Sequence, residues 1–166
     1  MTTIEFRAPW SASLRSMTVT RLTLLAVILT GVILARAPTI AIVVMFGGAT
    51  LAVGGALAVR VRGYTLTEDA IIVHRGFWDT RLPLTGLRCV TGEVDAVGVW
   101  VKSYGLFSFT GIFWSRKLSW YRAYATDLSR AVVLRYPKRT IVITPHDPQQ
   151  FIMRARTFLK VAEFPK

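Results

Sequence analysis

The sequence predicts a membrane α-helical hairpin followed by a small all-β barrel or sandwich, closed by one C-terminal α-helix. Three observations predict it. Residues Leu22 to Val59 are apolar apart from scattered Thr and Gly and one break at Arg36-Ala37-Pro38. From Gly63 the pattern changes to short β-branched runs separated by turn residues. From Asp147 it changes again, to one apolar face recurring every 3.6 residues.

The chain of 166 residues is long enough for an anchor plus a small domain. Hydrophobic residues make up 52% of it, and they concentrate in the first third. Lys+Arg number 21 against 9 Asp+Glu, a net charge of +12. So basic a balance suits an anionic partner, either a membrane surface or a nucleic acid. No nucleic-acid recognition motif accompanies the charge, so the lipid surface is the expected partner. The single cysteine, Cys89, makes no intrachain disulfide and reads as a small buried hydrophobe.

Residues 1–17 read as an N-terminal basic tail, with Pro9, Ser11, Ser13 and Ser16 disfavouring structure. Residues 18–60 read as the transmembrane hairpin, its spans at about 18–35 and 38–60. The first apolar run, Leu22–Ala35, would rise only about 21 Å. Extended back through Met17 it approaches the roughly 30 Å of a bilayer core, with Arg21 reaching the headgroups. A signal peptide is the rival reading, but a second apolar run follows at once. Gly47-Gly48 and Gly54-Gly55 suit either close helix approach or plain flexibility. Arg36-Ala37-Pro38 leaves room only for a tight turn, so the spans are antiparallel. Arg15, Arg21, Arg60 and Arg62 flank the hairpin against one Arg36 in the turn, which places both termini in the cytoplasm.

Residues 61–166 read as the β-rich domain. Tyr64–Thr67, Ala70–Arg75 and Trp78–Pro83 form a meander, with Glu68-Asp69 as its first turn. Leu87–Val90 follows, then a polar loop over 91–96. Ala131–Tyr136 and Thr140–Thr144 flank Pro137-Lys138-Arg139 as a hairpin. Asp147 caps a helix over 147–162 with Pro148 at its first position. Phe151, Ile152, Ala155, Phe158, Leu159 and Ala162 share one face of it, to pack on the sheets or on a membrane.

The hairpin followed by Gly63–Trp78 and Arg81–Arg88 resembles the bacterial pleckstrin-homology (PH) domain membrane proteins. Tyr104–Phe113, Tyr121–Thr126, Ala131–Leu134 and Ile141–Ile152 resemble the second half of that domain. The resemblance covers about residues 40–160 and rests on the order of several weak pieces. It implies two near-orthogonal antiparallel sheets closed by a C-terminal helix, a bacterial inner-membrane location and no enzymatic activity. Related PH domains often bind phosphoinositides through basic residues in the first hairpin. Glu68 and Asp69 stand there in this chain, against that mode.

Chemistry-bearing residues are few. His74 and His146 stand alone, without Cys, Asp or Glu at metal-ligand spacing, and read as structural. No phosphate loop, nucleophile elbow or zincin motif occurs. Glu93 and Asp95 read as a solvated loop. No metal or cofactor is expected. The informative stretch is Val97 to Trp120, rich in aromatics and glycines. Its aromatics fill the barrel core, dock a protein, or form an interfacial patch with nearby cations. The candidate lipid-headgroup contacts are Arg60, Arg62, Arg116, Lys117 and Arg122. The candidate interfacial aromatics are Trp100, Tyr104, Phe107, Trp114 and Trp120. The expected function is a non-enzymatic scaffold or regulatory module that binds lipid surface, a protein partner or another copy of itself. The alternative is a subunit of a membrane enzyme or transporter complex.

Overall fold

A computed structural model of the chain describes residues 3–92 and 106–163, with side chains as far as Leu159. The expectations for Glu93, Asp95, Trp100, Tyr104 and the Ala162 side chain lie outside the described residues.

The N-terminal segment is not a tail. Ile4–Arg7 forms strand β1, which pairs antiparallel with β2 (Gly63–Leu66) in the register Arg7 to Gly63. Ile4 and Phe6 turn inward while Glu5 and Arg7 face out, the period of a half-buried strand. Four residues ahead of a proline carry too little local signal, and the pairing partner lies on the far side of the hairpin. Strands β3 (Ala70–His74) and β4 (Asp79–Pro83) continue an antiparallel sheet in the order β1-β2-β3-β4.

Two helices are thus inserted between hydrogen-bonded neighbours. Helix α1 spans Ala12–Leu34 and starts earlier than the expected first span. Ser11 caps it by accepting the Leu14 amide at 3.0 Å, and Leu14 is fully buried. These contacts carry the helix through a Ser- and Thr-rich turn of modest intrinsic propensity. Arg36 closes α1 in the left-handed conformation (φ 51°), and Pro38 opens α2 (Thr39–Ala58). The 20 residues of α2 rise about 30 Å, and none of them is buried. Gly47, Gly48, Gly54 and Gly55 have nothing within 4 Å of an added Cβ, so they are not a seam against α1.

The second sheet has the order β5-β8-β9-β7-β6. Its strands are β5 (Cys89–Gly92), β6 (Phe109–Ser115), β7 (Ser119–Ala125), β8 (Val132–Arg135) and β9 (Thr140–Ile143). All its pairs are antiparallel except β7 with β9. Thr91 and Gly92, expected in a loop, extend β5, and Cys89 is only half-buried. Helix α3 (Pro148–Glu163) is capped by Asp147, whose carboxylate accepts the Gln150 amide at 2.9 Å. It packs on the domain: Phe151 and Ala155 are buried in its core, with Ile152, Phe158 and Leu159 against it.

That core lies between the sheets and includes Phe6, Tyr64, Ile71, Leu82, Leu134 and Ile141. A smaller cluster on the outer face of the second sheet holds Phe113, Tyr121, Val133 and Val142. The Tyr64 hydroxyl donates to the Tyr124 carbonyl at 2.6 Å and accepts the Thr144 amide at 3.2 Å. Burial pushes this phenol up to about 12. The folded value lies above the unfolded one of about 10. Its contribution is therefore intact below about pH 10 and is lost as pH rises from about 10 to 12, on the order of 3 kcal/mol in all. Urea unfolding in detergent across that window should show a stability slope that Tyr64→Phe reduces. An equal slope in both proteins would contradict it.

Candidate functional site

The informative geometry lies where the helices meet the domain. At the α1 foot, the Ser11 amide donates to the Thr126 carbonyl at 3.3 Å, and the Thr18 hydroxyl donates to the Leu106 carbonyl. Trp10 packs against Phe107 with ring centroids 6.1 Å apart. The Arg60 guanidinium lies 5.6 Å from the Trp10 ring. So Phe107 and Arg60, both expected to reach lipid, are half-buried and knit the hairpin to the domain. Arg62 is exposed, and its amide donates to the His74 carbonyl at 2.8 Å.

At the α2 foot stands Gly76, in the turn between β3 and β4. An added Cβ there would lie 2.0 Å from the Leu57 carbonyl oxygen and 2.8 Å from that of Ala58. The turn is therefore pressed directly on the helix end. The next two residues, Phe77 and Trp78, are 80% and 47% exposed. The sequence reading missed them. Two adjacent aromatics just past a strand-ending glycine were the available signal, since turns favour polar residues.

Beside Trp78, Arg75 turns inward and is only 8% exposed. Its guanidinium lies 5.6 Å from the Trp78 ring and 4.5 Å from the Tyr124 ring. Its Nε is buried without a hydrogen-bond partner, and no carboxylate among the described residues pairs with it. Burial lowers its affinity for the proton; Tyr124 opposes that shift, and the neighbouring charge of Arg122 adds to it. Arg122 itself stacks 5.6 Å from the Tyr124 ring.

The β6–β7 hairpin resolves the two roles open for its aromatics by alternation. Phe113 and Tyr121 stack at 5.6 Å in the outer cluster. On the opposite face Ile112 is registered with Arg122, and Trp114 with Trp120. Ile112, Trp114 and Trp120 are exposed, Trp120 by 69%. A strip of aromatics and arginines thus runs from Phe77 and Trp78 through Arg75 and Tyr124 to Arg122, Ile112 and Trp120. Arg116 and Lys117 are exposed but occupy the far turn of that hairpin, about 20 Å along the strands from its α1 end. The structure does not bring them to Arg60 and Arg62.

On the outer face of the first sheet, Thr65 Oγ1 lies 2.7 Å from His74 Nε2, and His74 Nδ1 lies 3.1 Å from Asp79. The order is that of a nucleophile, base and acid. Thr65 stands mid-ladder between β1 and β3, its bond to His74 part-buried, and the neighbouring amides serve strand pairing. Stabilising an oxyanion needs free donors aimed at it.

A family model described as Bacterial PH domain matches residues 62–157. The chain belongs to this family. A bacterial PH domain thus accounts for β2 through most of α3, while β1 and the hairpin precede the matched residues. No curated protein and no solved structure matches the chain. A PH domain suggests a binding module for lipids or proteins.

Proposed function

We propose that the two apolar helices cross a membrane as a hairpin and hold the bacterial PH domain against that membrane's surface as a non-enzymatic binding module. The observation that carries this reading is the exposure of α2. Its 20 residues are apolar, and none is buried by the rest of the chain. In water so large an apolar surface is unfavourable, whereas in a bilayer core of about 30 Å it is matched. The insertion of the hairpin between paired β1 and β2 supports it, because both feet must then emerge on one side of the membrane. Phe77 and Trp78 beside the α2 foot fall at the level that aromatic side chains favour in a bilayer. The arginine excess on that side favours the cytoplasmic face. The His74 constellation is read as cross-strand structure, which accords with a non-enzymatic role.

Cysteine labelling tests the topology. In a Cys89→Ser background, Arg36→Cys should react with an impermeant maleimide added outside intact cells. Thr3→Cys should react only after permeabilisation. Labelling of both from the same side, or release of the protein from membranes by alkaline carbonate, would refute the hairpin.

A further inference from the structure

The strip ends in a cleft of about 350 Å³ between β4 and the second sheet. Two features meet there. The first is a free sheet edge. β4 ends its sheet, with β3 on one side and no strand among the described residues on the other. Along an antiparallel strand, the peptide groups of successive residues point to opposite sides. The Leu84 amide donates to the Asp69 carbonyl on the β3 side, so Pro83 and Arg81 turn their peptide groups the other way. The Tyr136 hydroxyl donates to that Pro83 carbonyl at 3.0 Å, so this edge faces the β8–β9 turn. The Arg81 amide and carbonyl point to the same side, where no described strand pairs with them.

The second feature is charge. Arg122, Lys138 and Arg139 line the cleft, and none has a carboxylate partner among the described residues. The Arg122 guanidinium lies 5.6 Å from the Tyr124 ring and that of Arg139 lies 5.1 Å from the Tyr136 ring, so aromatic faces hold both cations in place. Like charges gathered this way are unfavourable until an anion enters. Exposed Ile112 and Trp120 give the same cleft an apolar wall.

Together these features select the occupant. A strand edge is completed by a backbone that carries amides and carbonyls of its own, which makes the ligand a polypeptide. The unpaired cations match carboxylates on it, and Trp120 and Ile112 match an apolar residue between them. A nucleic acid would satisfy the cations and leave the edge unpaired. A second copy of this chain does not supply the acids. Its one pair of adjacent acids is Glu68-Asp69, and Asp69 is already paired with Arg81. Trp120 stands beside the β6–β7 turn, far from the α1 end of that hairpin, so the partner comes from the solution side.

We infer that an extended acidic segment of a partner protein adds to the β4 edge in this cleft, its backbone paired with Arg81 and its carboxylates on Arg122, Lys138 and Arg139. This rests on the reading of the domain as a non-enzymatic binding module. The test uses the full chain in nanodiscs of phosphatidylcholine, which carries no net charge. The probe is a short fluorescent peptide of alternating glutamate and valine with a central tyrosine, and binding is read by polarisation. Wild type should bind it. N-methylation at every glutamate, or at every valine, blocks one edge of the peptide or the other. One of the two should weaken binding roughly tenfold, through the lost hydrogen bonds to Arg81, and the other should leave it unchanged. The double variant Arg122→Gln, Arg139→Gln should weaken it roughly fivefold, from two lost ion pairs at a surface. The charge-matched control Arg88→Gln, Arg154→Gln, on exposed positions elsewhere, should match wild type. Absence of binding, equal effects of the two methylation patterns, a double variant that behaves as wild type, or equal binding of a thymidine oligonucleotide would each overturn the inference. A probe recovered cleaved would refute the binding-module reading as well, so the two failures are distinguishable.

Discussion

Gly76→Ala is expected to loosen the joint between α2 and the PH domain. The new Cβ would sit 2.0 Å from the Leu57 carbonyl oxygen, well inside van der Waals contact. The obstacle is backbone, so no side-chain rotation relieves it. The Leu57 carbonyl also accepts the Arg60 amide at 3.3 Å, and the Arg62 amide donates to the His74 carbonyl at 2.8 Å. Either the β3–β4 turn or the helix end must move, and these bonds are strained with it. Overpacking of this kind costs about 1–3 kcal/mol. The expected readout is faster amide exchange over residues 59–62 and in the turn, with a lower melting temperature in detergent. Gly54→Ala is the control. Nothing stands within 4 Å of its added Cβ, and alanine is the better helix former. Exchange at 59–62 equal to wild type in the Gly76 variant would show that this contact does not hold the joint.

Phe6→Ala is expected to cost about 3–5 kcal/mol, the range for emptying a buried phenylalanine site. Phe6 is nearly buried in the inter-sheet core, and its ring meets Phe151 of α3 edge-on at 5.2 Å. Small domains are stable by only about 5–15 kcal/mol, so one residue at the N-terminus carries a large share. The same logic predicts that a fragment starting at Arg60 folds poorly. Without β1, the edge of β2 is unpaired and offers itself to other chains. Circular dichroism melts of Phe6→Ala and of the fragment check this. Melting of the variant at the wild-type temperature would mean that β1 is dispensable. Supplying the fragment with an Ile4–Arg7 peptide should partly restore it if pairing is the cause.

Most of the architecture was legible because its signals are local. Continuous apolarity marks the hairpin, alternation marks β2–β4 and β8–β9, and a 3.6-residue period with an Asp147-Pro148 start marks α3. Each depends on residues a few positions apart. The site was legible only in part. Arg122, Trp114 and Trp120 share the exposed face of one strand pair, as their alternation allows. Arg116 and Lys117 are distant from the hairpin because a turn lies a full strand length from the hairpin's open end, which no composition records. Cys89, Phe107 and Arg60 differ from expectation in burial, a property set by what the chain folds against them.

By itself the sequence determined that an apolar helical pair precedes a β-rich domain closed by an amphipathic helix, since these follow from periodicity and hydrophobicity along the chain. The tertiary structure alone decided that residues before the hairpin complete the first sheet. It also decided that Gly76 is pressed on the α2 foot, and that Arg81, Arg122, Lys138 and Arg139 line one cleft. Those facts depend on pairings between segments far apart in sequence, and long-range pairing leaves no local period to read.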